Sequence, residues 1–472
     1  MASTLISGGT IIDVDGVRRG DIRIAWDGRI SEVAAELTPL HNETVIDAND
    51  QLVIPGGVDA HTHLHLPVGK VRVSDDFDTG TKAAAIGGTT TIIDYVTAYR
   101  GEDPLESARV WKSWAAPSVI DWGLHMTFTE PVSEAVIARC VEAGMTSFKL
   151  YMAYPDLLQV DDRTIAEIMT AATRHGGLVT LHCENGGAIE ALRAQALAAG
   201  RTGAPEHSAT RPAILEGEAT VRATAIAEAV GASVYIVHMS SAPALAAVRA
   251  AAERGVDVLA ETCPQYLHLD SSALARPDGE NYVCTPPLRD RWHQEELWEG
   301  MSRGWIHTVA TDHCPFWMHD RSSGMAPGTI SAENFTQIPG GLPGIETRLA
   351  LIWEGVRAGR ITQQDWVRLC AESPAKTFGL WGRKGALRVG FDADVVVWDP
   401  ARVQSLNARD LHMAVDHSPY EGTLVTGWPT TVLSRGRVVA RNGEFVGEPG
   451  HGQFLLRDSR SASSAGGASS RF

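Results

Sequence analysis

Apolar and polar residues alternate at both ends of this chain and change rhythm between them. Within residues 1–55, ISGGTIIDVDG and DIRIAWDGRISEVA turn successive side chains to opposite faces, the period of a half-buried strand, and Asp15–Gly16 and Asp27–Gly28 favour tight hairpin turns. Within residues 380–455, GFDADVVVWDP and TTVLSRGRVVARNGEFVG repeat that style, with Asn442–Gly443 as a further turn. The two ends are candidates for one small β-domain, a pairing that alternation alone does not prove.

Residues 56–379, with the approach to them, carry eight short apolar runs: LVIPGGVDAH, TTTIIDYV, IDWGLHMTF, TSFKLYM, GLVTLHCE, SVYIVHMS, VDVLAE and IHTVATDH. Helical patterns lie between them. In DDRTIAEIMTAATRHGG, Ile165, Ile168, Met169 and Ala172 form one apolar face, Asp161 or Asp162 can cap the start and Gly176 can end it. SSAPALAAVRAAAERG repeats the logic, with Ser241 before Pro243 and Gly255 at the end. Eight strand–helix units predict an α/β fold with a TIM-type (β/α)8 barrel, although a doubly wound sheet has the same alternation.

Composition narrows the partners. With 472 residues, 44% of them hydrophobic, the chain can bury a large core. A formal charge of −16 disfavours nucleic acid or an anionic membrane and leaves a small neutral substrate as the better fit. MASTLISGGTIIDVDG lacks the basic start and apolar run of a signal peptide, and no stretch reaches the ~18 apolar residues of a membrane span, so a cytoplasmic location is expected. The cysteines Cys140, Cys183, Cys263, Cys284, Cys314 and Cys370 have no CxxC spacing and read as reduced thiols.

Six potential metal ligands stand at the ends of these strands: His61 and His63 in GVDAHTHL, Lys149 in SFKLYMAY, His182 in TLHCEN, His238 in YIVHMSS and Asp312 in VATDHCPF. Imidazole and carboxylate groups suit zinc. Residues two apart on a strand point to the same side, so His61 and His63 can reach one ion while Thr62 faces away. The ligands fall on the first, fourth, fifth, sixth and eighth strands, whose carboxyl ends a barrel gathers on one face and an open sheet would spread apart. His125, His175, His268 and His307 lack such company and fit hydrogen-bonded packing roles. A protonated Lys149 would be repelled by metal ions and offers no lone pair; as a carbamate its two oxygens can bind one ion each. The set predicts metal-assisted hydrolysis.

PGGVDAHTHLHLP, SDDFDTGTKAAAIGGTTTIIDYV, SFKLYMAY, HCENG, YIVHMSS, ETCPQYL, TPPLR, ATDHCPF, GLPGIETR and GRKGALRVGFDADVVVWDP together resemble the hydantoinase/dihydropyrimidinase family of cyclic amidohydrolases, with a phenylhydantoinase-like GLPG loop. The likeness runs from about residue 4 to 455 and leaves residues 456–472 as a disordered tail by composition. It implies a β-sandwich made from both chain ends and two zinc ions. His61, His63 and Asp312 would hold one ion, His182 and His238 the other, with carbamylated Lys149 bridging them. Tyr154 matches the tyrosine that hydrogen-bonds the substrate carbonyl, and Asp312 the residue that accepts and returns a proton. Thr285 and Pro343 stand in the loops that hold the substrate ring, where many relatives carry Ser and Asn. The family's homotetramer is a further expectation.

The resemblance implies ring opening of hydantoins or dihydropyrimidines to N-carbamoyl amino acids. His65 replaces the arginine by which dihydroorotases pair with a substrate carboxylate, which disfavours dihydroorotate. Allantoin and cyclic imides remain alternative substrates. A dihydropyrimidinase-related scaffold is the non-enzymatic alternative, disfavoured because every ligand position is filled. Substrate choice is expected to rest on residues 64–73, 95–103 and 152–160.

Overall fold

Strands from both chain ends pair into one nine-stranded sheet in the computed structural model, which describes residues 3–155, 157–326 and 331–460. Thr4–Asp13 is its pivot: Gly16–Ile24 pairs along one edge, while Thr44–Asp47 and Leu52–Pro55 share the other. Leu52–Pro55 then pairs with Val395–Ser405, which joins the N-terminal strands to the C-terminal ones. Ile11, Ile22, Val53, Val395, Val397 and Leu433 fill a core inside this sheet that is separate from the main one. The first hairpin closes on Val14–Asp15, with Asp13 opposite Gly16, one residue earlier than the Asp-Gly pair suggested. At Asn442–Gly443 both φ angles are positive, 54° and 88°, as a two-residue hairpin turn of the favoured hand requires.

The predicted eight strands form a TIM-type barrel. They are Gly57–Thr62, Thr89–Ala98, Asp121–Phe128, Ser147–Tyr151, Leu178–His182, Val234–Ile236, Val258–Thr262 and Thr308–Val309, paired in chain order. A parallel bridge between Thr62 and His313 closes the ring, supported by His63 N donating to His313 O at 2.9 Å. That closure excludes the doubly wound sheet. Every residue of the second and third strands is buried, as expected of parallel strands covered on both faces.

Helix Asp162–Arg174 turns Ile165, Ile168, Met169 and Ala172 inward and is capped by the Asp161 carboxylate accepting from Thr164 N. Ser241 precedes helix Ala242–Glu253 but makes no side-chain cap bond. At the amino-terminal end of the barrel, buried Lys384 donates to Asp121 at 2.7 Å and Asp394 at 2.8 Å, tying the terminal sheet to the third barrel strand.

The first residues of the tail expected from residue 456 are packed instead. Arg457 is buried and donates to Ser147 Oγ at 2.8 Å, and Asp458 N reaches Gly379 O at 2.9 Å, so the chain remains packed under the barrel there. Residues 461–472 lie outside the described residues. All six cysteines are buried and free. Among the described residues no helix is long and apolar enough to cross a membrane.

Candidate active site

His61, His63, Lys149, His182, His238 and Asp312 meet at the carboxyl end of the barrel and line one cavity of about 230 Å³. His61 and Lys149 lie within their strands and His182 ends its own. His63, His238 and Asp312 stand just past theirs, where backbone leaving the barrel can bend. His238 and Asp312 bend sharply, with φ of 38° and 52°. Such conformations cost about 1–3 kcal/mol at non-glycine positions and persist where the surroundings hold them.

The donor set fits metal ions. Asp312 Oδ1 lies 3.2 Å from His61 Nε2 and 3.0 Å from His63 Nε2, about the spacing of neighbouring tetrahedral ligands placed ~2.1 Å from zinc. His61 Nε2 nevertheless has no hydrogen-bond partner, so the approach is one of convergence rather than bonding. Across the cavity His182 Nδ1 and His238 Nε2 are 2.9 Å apart. Lys149 Nζ is buried without any hydrogen-bond partner. Burial pushes that amine down to about 8, which favours the neutral form that reacts with carbon dioxide.

Carboxylates behind two of these histidines orient them. Glu261 Oε1 is 2.7 Å from His61 Nδ1 and Glu184 Oε2 is 2.8 Å from His182 Nε2, which puts a proton on each of those nitrogens and leaves His61 Nε2 and His182 Nδ1 as lone-pair donors. Burial would raise the Glu184 carboxyl, but Arg211, 2.8 Å away, and His182 overcome it and hold it at about 2. Burial raises Glu261 to about 7, partly offset by bonds from His238 N at 2.9 Å and the Tyr235 hydroxyl at 2.8 Å. Burial likewise acts upward on Asp312, yet the facing His61 and His63, with Lys149, keep its carboxyl below the ordinary value. The rings of His61 and His238 are held neutral by burial.

Tyr154 stands on the rim of the site in a left-handed conformation, φ 65°, its ring centre 5.4 Å from that of His182. Burial raises its phenol, so it remains a donor at neutral pH. Thr285 lines the cavity with Gly340 and Gly341. Pro343 does not: Leu342 bridges to His313 and the chain turns behind it, leaving Pro343 buried but away from the lining. Of the three segments expected to shape the pocket, 64–73 contributes Leu66 and Val68, and 152–160 contributes Tyr154, Leu157 and Leu158. The segment 95–103 contributes no described lining residue and packs behind, with Tyr99 OH donating to Pro67 O at 3.3 Å. His65 turns its ring to Trp114, 4.8 Å between centres, and is not on the lining.

Sequence reasoning missed Glu184, Glu261, Arg193, His207 and Arg211, as well as the apolar wall at Phe335 and Ile338. A carboxylate inside an apolar strand, as Glu261 is in VLAET, was a usable signal, and so was the His-x-Glu spacing at the end of strand Leu178–His182. His125, by contrast, is a packing residue, bonded to Ser147 Oγ at 2.5 Å and Ala60 O at 2.9 Å.

Residues 52–439 match the pattern of the amidohydrolase family. Over 460 residues the chain is 43% identical to a D-hydantoinase of Geobacillus stearothermophilus, covering 96% of each chain. It is 40% identical over 463 residues to an Escherichia coli D-phenylhydantoinase, covering 96% of this chain and 98% of that one. The structure superimposes on a dihydropyrimidinase from Brevibacillus agri with a TM-score of 0.94 at 39% identity, over 97% of this chain and 99% of the other.

Proposed function

The chain belongs to the amidohydrolase family, within its hydantoinase/dihydropyrimidinase branch, and on that premise we propose that it opens the ring amide of hydantoins or dihydropyrimidines to N-carbamoyl amino acids. It is a cyclic amidohydrolase. The observation that carries the proposal is the convergence of five strand ends on one cavity, with a buried lysine amine among the donors that accepts or donates no hydrogen bond among the described residues.

Two divalent ions, zinc by the chemistry of the donors, would be held by His61, His63 and Asp312 on one side and by His182 and His238 on the other, with Lys149 as a carbamate between them. When bound, such a pair acidifies water and polarises a carbonyl oxygen. Asp312 is ionised at neutral pH, so it can take a proton as the carbonyl carbon is attacked and return it to the ring nitrogen as the C–N bond breaks. Tyr154 keeps its hydroxyl proton and donates it to the carbonyl oxygen as negative charge builds there. Thr285 and the backbone at Gly340–Gly341 face the ring. Leu66, Leu157, Leu158, Phe335 and Ile338 give a ring substituent an apolar wall.

The test is turnover of hydantoin and dihydrouracil by protein stripped of metal and then restored with zinc, with product mass as the readout. Gain of one water by each substrate, lost on stripping and recovered with zinc, supports the reading. Absence of ring opening by the restored protein refutes it.

A further inference from the structure

The chain carries a formal charge of −16, yet Asp312 is the single carboxylate among the described residues that line the cavity, where Arg193 and Arg211 also stand. The two arginines differ in how far they are spoken for. Arg211 is buried and bound to Glu184 at 2.8 Å, itself buried and bonded to His182, so its charge is consumed in orienting a ligand. Arg193 lies on helix Gly186–Ala198 and among the described residues pairs with Glu190, three residues earlier on the same helix. That pair is only partly open to water, with the Arg193 side chain 24% and the Glu190 side chain 43% exposed, and Glu190 is not on the lining. A helix pair of this spacing, partly open to water, holds its charges weakly enough to exchange partners. A carboxylate arriving from inside the cavity, between apolar walls at Leu157, Leu158 and Phe335, meets the same guanidinium in a less screened setting.

We infer that Arg193 is a specificity-determining residue that favours ring substrates bearing a carboxylate at the far end of a flexible substituent. The inference rests on the ring-opening reading above and names the substrate class within it. It differs from a carboxylate attached directly to the ring: His65, the position at which such a group would need a cation, turns to Trp114 and away from the lining. Neutral His207, whose Nε2 is 2.8 Å from Cys284 O and 3.2 Å from Thr285 Oγ1, adds no competing charge, because burial holds its ring at about 3.

The experiment compares hydantoin-5-propionate with hydantoin-5-propionamide, which match in shape and differ in charge. The metal-loaded enzyme should prefer the acid by roughly 5–20-fold in kcat/KM, mainly through KM, and added salt should shrink the ratio. Arg193→Gln should bring the ratio to about one, Arg193→Lys should keep part of it, and Glu190→Gln should raise it by freeing the guanidinium. A wild-type preference for the amide, or an acid preference that Arg193→Gln leaves intact, overturns the inference while ring opening stands. If neither compound nor hydantoin itself is opened, the ring-opening reading has failed and the inference falls with it.

Discussion

Glu261 Oε1 lies 2.7 Å from His61 Nδ1, although 200 positions of chain separate the two residues. The contact spans from the seventh barrel strand to the first and fixes which nitrogen of His61 faces the cavity. Glu261→Ala should weaken metal retention by roughly 10–100-fold, while Glu261→Gln, whose amide oxygen can still accept the His61 proton, should lose less. Competition against a chelator reads this directly. Wild-type retention in Glu261→Ala would show that the contact does not orient a ligand.

Lys149 offers a second test, because its amine has no hydrogen-bond partner among the described residues and burial pushes it down to about 8. Lys149→Ala should lose metal and turnover together, and intact wild-type protein should carry the extra mass of one carbon dioxide. The neutral amine fraction grows about tenfold per pH unit up to that value. Stripped protein given zinc at a fixed concentration of dissolved carbon dioxide should therefore regain activity faster at about pH 8 than at about pH 6. Full metal content and normal turnover in Lys149→Ala would rule out the bridge.

The convergence of these six side chains was legible because strand ends are: apolar runs end where polar residues begin, and His-x-His on a strand has only one geometric sense. The barrel followed, since only a closed ring gathers five such ends. Residues that act from behind were harder to see. Glu261 matters through His61, and Arg211 through Glu184 and His182, by contacts most of which no sequence spacing encodes. Arg193 sits on a helix whose pattern reports an ordinary solvent face, and no spacing along the chain ties it to the cavity that it lines with Phe335 and Ile338. Pro343 was read from the identity of its loop, whereas it is the backbone two residues earlier that lines the cavity.

Asp312 has two expected duties, and Asp312→Asn separates them. The amide keeps an oxygen that can stay near His61 and His63 but cannot take up a proton, so turnover should fall by roughly 10²–10⁴-fold while metal content falls less. Metal analysis and single-turnover rates on the same sample distinguish the effects. Near wild-type turnover with metal in place would remove Asp312 as the base.

Tyr154→Phe removes a hydroxyl and leaves the ring beside His182 and Tyr151. Turnover should drop by about 10²–10³-fold, chiefly in kcat, with thermal stability little changed. An effect confined to KM would mean that the hydroxyl binds the ground state and the transition state alike.

The most direct test of the central claim is a rate comparison on one metal-loaded preparation across hydantoin, phenylhydantoin, dihydrouracil, allantoin, dihydroorotate and succinimide. A site with neutral histidines at the cavity floor, a phenol donor and no cation at His65 predicts that hydantoins and dihydrouracil are opened to N-carbamoyl amino acids ahead of the rest. Allantoin, dihydroorotate or succinimide turning over much faster than every hydantoin and dihydrouracil would contradict it.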